Sequence, residues 1–205
     1  MAGSAPKFRR RSEARPDEIL DAAMGVFAER GFDAARMDDI AARAGVSKGA
    51  LYLYFDSKEA LLKGLVEREV APIAAMLSGM ADAGGSDPRT TLALIVRMAS
   101  TLTQAPSFAA TPRLILSVAA RFPEIGLHYR QRVVDVGLGS IEALIAKGVA
   151  KGVFRQVDPR AAARMVMGPV MLKALHVHVL GGAPDDDAEA RAAAIADILF
   201  KGIAA

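Results

Sequence analysis

The sequence predicts an all-α protein of two units, a small three-helix unit near the N-terminus followed by a larger helical one. Three observations predict it. Apolar residues make up 52% of the 205 positions, much of that fraction being alanine, the best helix former. No stretch shows the sustained alternation of β-branched residues that a half-buried strand needs. Apolar positions recur instead at three- and four-residue spacing between glycine and proline breaks, the pattern of helices that bury one face. Length allows one domain or two small ones.

The chain opens with Lys7, Arg9, Arg10, Arg11 and Arg15, faced only by Glu13 and Asp17. Residues 1–14 read as a flexible basic tail, either laid along phosphates or simply solvated. Acidic and basic residues cancel over residues 1–60, and the whole chain is only +3. Ile19, Leu20, Ala23, Val26 and Phe27 form the apolar stripe of the first helix, with Pro16 fit for its first turn and Gly31 as its stop. Ile40, Ala41 and Ala44 mark a second helix that Gly45 ends in a left-handed conformation. Val46 tucks under the turn and Ser47 caps a third helix. In that helix Leu51 and Phe55, one turn apart, face the core. Gly49, Ala50 and Leu53 point outward, flanked by Tyr52, Tyr54 and Lys48. Taken alone, this is the pattern of a DNA-reading helix-turn-helix or of a plain helical hairpin in a bundle. Its small and apolar outward groups suit thymine methyls in a major groove. Its tyrosine hydroxyls and lysine suit phosphate oxygens. Asp56-Ser57-Lys58-Glu59 is a capping-box pattern that opens a helix over about 57–82.

Residues 15–62 resemble the N-terminal domain of the TetR/AcrR family of bacterial transcription regulators. The landmarks are Ile19-Leu20, Ala23, Phe27, Gly31-Phe32, Asp39-Ile40-Ala41, the run Ala44 to Gly49, Leu51-Tyr52, Phe55, Lys58-Glu59 and Leu61-Leu62. The resemblance implies that Ser47, Lys48, Gly49, Ala50, Leu53 and Tyr54 meet DNA and that Tyr52 and Lys58 contact phosphates. Tyr54 stands where the family usually has histidine. Ala35 and Arg36 stand where it usually has Thr and then Ser or Thr. Arg36 cannot cap the second helix; it either reaches a phosphate or lies exposed at a weakened helix end.

The expected division is a tail over 1–14, a DNA-binding domain over 15–60 and a second helical domain over 61–205. After the break Gly84-Gly85-Ser86, Asp87-Pro88 starts a helix to about 104. Helices over about 107–122, 125–151 and 158–180 follow, and the last begins at the acidic run from Asp185. Arg121-Phe122-Pro123-Glu124 resembles the C-terminal domain of one TetR subgroup. The resemblance implies that this domain binds a small effector and pairs two subunits through their last two helices. Ala188, Ala192, Ile195, Ala196 and Leu199 have the size and spacing for that packing. A two-fold dimer reads a near-palindromic operator on double-stranded DNA. Phe108, Leu116, Tyr129, Met165, Met171 and His176 are candidates for the effector pocket, with Met167 and His178 beside them; the methionines serve equally as ordinary core. An apolar or aromatic effector fits such walls.

Several classes are disfavoured. The chain has no cysteine, hence no disulfide or thiolate metal site. His176 and His178 lie two apart and diverge on a helix, and His128 does not complete a metal site. No cofactor is expected. Residues 164–183 are apolar, but Lys173, His176, His178 and Pro169 mark a buried helix rather than a membrane span. The N-terminus lacks the apolar segment of a secretory signal, so a cytoplasmic location is expected. Nothing assembles a nucleophile with a base or a phosphate-binding loop, so an enzyme is not expected. The expectation is a homodimeric repressor released from its operator by a small apolar effector; the alternative is an effector-independent regulator or an activator.

Overall fold

The computed structural model describes residues 7–184 and 187–203, with side chains throughout except at 7–15, 106–107 and 203. It is helical, with no strand among the described residues. The chain divides into two compact units, Met1–Leu65 and Val66–Ala205. The expected boundary at 60/61 therefore moves by about one helical turn. The reason is packing: Leu61, Leu62 and Leu65 are fully buried on a helix that packs against the first one.

Among the described residues the first unit has four helices, α1 (Lys7–Ala34), α2 (Met37–Arg43), α3 (Lys48–Tyr52) and α4 (Lys58–Leu65). Helix α1 starts earlier than the sequence suggested. Residues 7–14, expected in the flexible tail, are helical, and Pro16 lies inside the helix rather than in its first turn; residues 1–6 lie outside the described residues. The helical path breaks at Gly31 (φ 74°, ψ 163°), a conformation that only glycine adopts without strain. Ile19, Ala23, Phe27, Ile40 and Leu51 are essentially solvent-free and form the core. Arg30 to Asp39 (2.7 Å) and Arg43 to Glu29 (2.6 Å) tie α1 to α2 across its rim. The cap of α4 is Ser57, whose hydroxyl accepts from the Ala60 N–H at 3.1 Å.

The second unit contains α5 (Ala71–Ala83), α6 (Pro88–Leu102), α7 (Pro106–Val118), α8 (Pro123–Tyr129), α9 (Asp135–Ala150), α10 (Pro159–His178) and α11 (Ala188–Ile203). Three of these start on an aspartate cap. Asp87 accepts from Thr90 N–H, Asp158 from Arg160 N–H, and Asp187 from Glu189 and Ala190 N–H. Helix α9 packs against α5, α6 and α10, and α11 lies on α6. Leu92, Ile95, Val96, Ile141, Leu144 and Phe154 form the buried centre. The Phe154 ring lies so close over Gly148 that a Cβ there would be 2.3 Å from the ring.

Two stretches expected as single helices contain a π-helical turn, Val66–Val70 before α5 and Arg130–Val134 before α9. The two turns are clamped together. Arg132 donates through Nε and Nη2 to the two oxygens of Glu67, both at 2.7 Å, and His128 Nε2 lies 3.0 Å from the same carboxylate. The fully buried Thr111 hydroxyl of α7 donates to Glu69.

Candidate nucleic-acid interface and effector cavity

The turn between α2 and α3 is built by the residues that predicted it. Gly45 has φ 66°; its N–H bonds to Ala42 O at 3.2 Å and that of Val46 to Ala41 O at 3.0 Å. This pair of bonds satisfies the last carbonyls of α2. Ser47 caps α3 by accepting from Ala50 N–H at 3.1 Å. With Leu51 buried at 0% exposure, the opposite side of α3 faces solvent: Leu53 is 85% exposed, with Tyr52 and Tyr54 exposed beside it. A Cβ added at Gly49 would meet nothing within 4 Å. The surface is therefore open and apolar, rimmed by two phenols.

The charged candidates divide. Lys48 is exposed and pairs with Asp38 at 2.8 Å; the hydrogen bond to that carboxylate raises its pKa. Arg36 is exposed at the start of α2, and its side chain makes no cap. Lys58 faces inward: its ammonium donates to Phe32 O at 2.6 Å and Asp33 O at 3.1 Å, and sits 4.7 Å from the centre of the Phe32 ring. Two of its three N–H donors thus secure the end of α1.

The second unit contains a cavity of about 560 Å³, open to solvent on one side. Phe108, Leu116, Tyr129 and Met171 line it, as expected, and so do Met167, His178, Thr103 and Arg113. Met165 and His176 do not. Met165 is 71% exposed and borders a separate groove between α10 and α11. His176 packs against Gly182, where an added Cβ would be 2.0 Å from its Nε2. Both displacements are two residues long, about 200° around a helix. Arg113 was missed, although its spacing from Ala109 and Leu116 puts it on the same face of α7. His178 Nε2 donates to the Thr103 carbonyl at 2.7 Å, which fixes its tautomer. Burial raises the Tyr129 pKa.

The expected dimer residues are only partly available. Ala192 is 3% exposed and sits in the unit's own core, with Ile195, Ala196 and Leu199 packed against it; Ala188 is half-buried. The outer side of these helices carries other apolar residues, Met165, Leu172 and Ile198, each more than 60% exposed. Among the described residues no acidic or histidine cluster could hold a metal ion, and no helix is long and apolar enough to cross a membrane.

Known proteins share this arrangement. Residues 19–65 match the bacterial regulatory proteins of the tetR family, and residues 90–199 match the C-terminal domain of AefR-like transcriptional repressors. An uncharacterised helix-turn-helix regulator of Mycobacterium tuberculosis is 46% identical over 69 residues, a match that spans 34% of each chain. The fatty acid metabolism regulator protein of Bacillus subtilis is 26% identical over 158 residues, 75% of this chain and 78% of that one. The fatty acid degradation regulator FadR from Bacillus halodurans superposes with TM-score 0.70 at 26% identity, covering 91% of this chain and 98% of its own. These relatives are transcriptional regulators rather than enzymes. With a DNA-reading unit and a larger helical unit each matched over most of its length, the chain belongs to the TetR family of bacterial transcription regulators.

Proposed function

We propose that this chain is a ligand-responsive repressor that binds a near-palindromic operator as a homodimer and leaves it when a small apolar molecule enters the second unit. The observation that carries the reading is the apolar pocket of about 560 Å³ in a chain whose other unit is a DNA reader. That volume lies within the roughly 300–1,000 Å³ of small-molecule sites. The apolar walls and the likeness to regulators of fatty acid metabolism support an apolar effector. The exposed apolar residues of α10 and α11 support pairing through those helices. Release would follow from differential binding: the effector prefers a conformation whose two recognition helices no longer match successive major grooves.

The test is fluorescence anisotropy on DNA from upstream of the chain's own gene, at physiological salt, with an unrelated duplex as competitor. Tight binding that survives the competitor and is lost on adding an apolar effector supports the reading. Specific binding that no cavity ligand alters leaves a DNA-binding regulator without an effector.

A further inference from the structure

We propose that the effector is an amphipathic anion, an apolar body carrying one carboxylate-like head that meets Arg113 and the Tyr129 hydroxyl. The inference rests on reading the cavity as the effector site and adds the chemistry of what fills it.

The argument is an inventory of polar groups. Nearly the whole wall is aliphatic or aromatic, so the body of a ligand is selected by apolar burial. Among the described residues, four side chains on it carry nitrogen or oxygen: Thr103, Arg113, Tyr129 and His178. Two of these have their donors engaged. The Thr103 hydroxyl donates to the Ser100 carbonyl at 3.1 Å, and the His178 Nε2–H is spent on the Thr103 carbonyl. The other two are free. Among the described residues neither the Arg113 guanidinium nor the Tyr129 hydroxyl has a hydrogen-bond or ion-pair partner. Both are donors, and Arg113 is always charged.

Among the described residues no carboxylate lines the cavity to balance that cation. The nearby acids are engaged elsewhere, Glu67 with Arg132 and Glu69 with Arg68 and Thr111. Arg113 is exposed while still lining the cavity, which puts it at the opening. A head group there stays near water while its tail is buried. A cavity with an unpaired cation, an unpaired phenol and no acid favours an anion over a neutral head and rejects a cation.

The test is calorimetric titration of the full chain with three probes that share one ten-carbon tail: decanoate, 1-decanol and decylammonium, each kept below its aggregation concentration. Decanoate is expected to bind at least tenfold tighter than decanol, and decylammonium weakest. Arg113→Gln, at an exposed position, is expected to bring decanoate within about twofold of decanol without changing decanol itself. Gly137→Leu locates the site, because Gly137 lines the cavity and has open space beyond its Cα; it should abolish binding of decanoate and decanol alike. Decanol binding as tight as decanoate, or a preference that survives Arg113→Gln, overturns the head-group assignment and leaves the cavity as effector site. Absence of binding by all three probes, or binding indifferent to Gly137→Leu, overturns the cavity reading and the proposal with it.

Discussion

Leu53 is a large apolar side chain left 85% in water next to residues whose conformations are tightly set. Single exposed leucines are ordinary, but this one shares its face with an open Gly49 and two exposed tyrosines. Replacing Leu53 and Tyr54 together with alanine should lower the ratio of operator to unrelated-DNA affinity by about tenfold while leaving the thermal midpoint unchanged. Competition anisotropy and a melting curve check both halves. Lys58 behaves differently. Its ammonium holds two carbonyls at the end of α1, so Lys58→Met should cost about 1–2 kcal/mol of stability. A denaturant titration that finds no loss would return Lys58 to a role on DNA alone. The lesson extends to reading residues from sequence. Lys58 was legible as a lysine beside the recognition helix, but its direction was not, because the carbonyls that attract it lie about 25 residues away in the chain.

At the scale of elements, local chemistry was legible and rotation was not. The αL turn at Gly45, the Ser47 cap and the Asp-Pro starts of α6 and α10 depend on residues within four positions of each other, and all are present. Met165 and His176 were misplaced because the face a helix turns inward is set by its neighbours, not by its own pattern. Ala192 shows the same limit: a small residue suits packing inside one protomer as well as between two. The close approach of Phe154 to Gly148 was likewise invisible in sequence. Gly148→Ala should push that buried ring out of place and cost about 2 kcal/mol, read from the shift in denaturation midpoint. The clamp between the two π turns carries a pH signature. Arg132 holds the Glu67 carboxyl below its ordinary pKa. Its stabilisation is complete above the ordinary carboxylate range and disappears as pH falls through the lowered value. The pair is partly solvent-exposed, so Glu67→Gln should lower the melting temperature by only about 1–3 °C at neutral pH. At a pH well below that lowered value it should make no difference.

At the scale of the whole molecule, the two-unit division was legible because a family's DNA-binding segment stands out in fixed order and spacing. Which side of α10 and α11 stays exposed was not. Ile198→Glu, on the exposed side of α11, should yield a monomer by light scattering if α10 and α11 pair two subunits, and should weaken binding to a palindromic operator far more than to a half-site. A dimer that survives the added charge would place the interface elsewhere. The distribution of aromatic residues has a practical consequence. The chain has three tyrosines and no tryptophan. Two of them border the recognition helix and the third lines the cavity. Tyrosine emission therefore comes from the two places where binding is proposed and from nowhere else. Removing the cavity phenol with Tyr129→Phe leaves a tyrosine spectrum that reports on Tyr52 and Tyr54 alone, and a single indole introduced at Phe108 would give the cavity its own colour. Those two variants would give the two proposed sites separate optical signals.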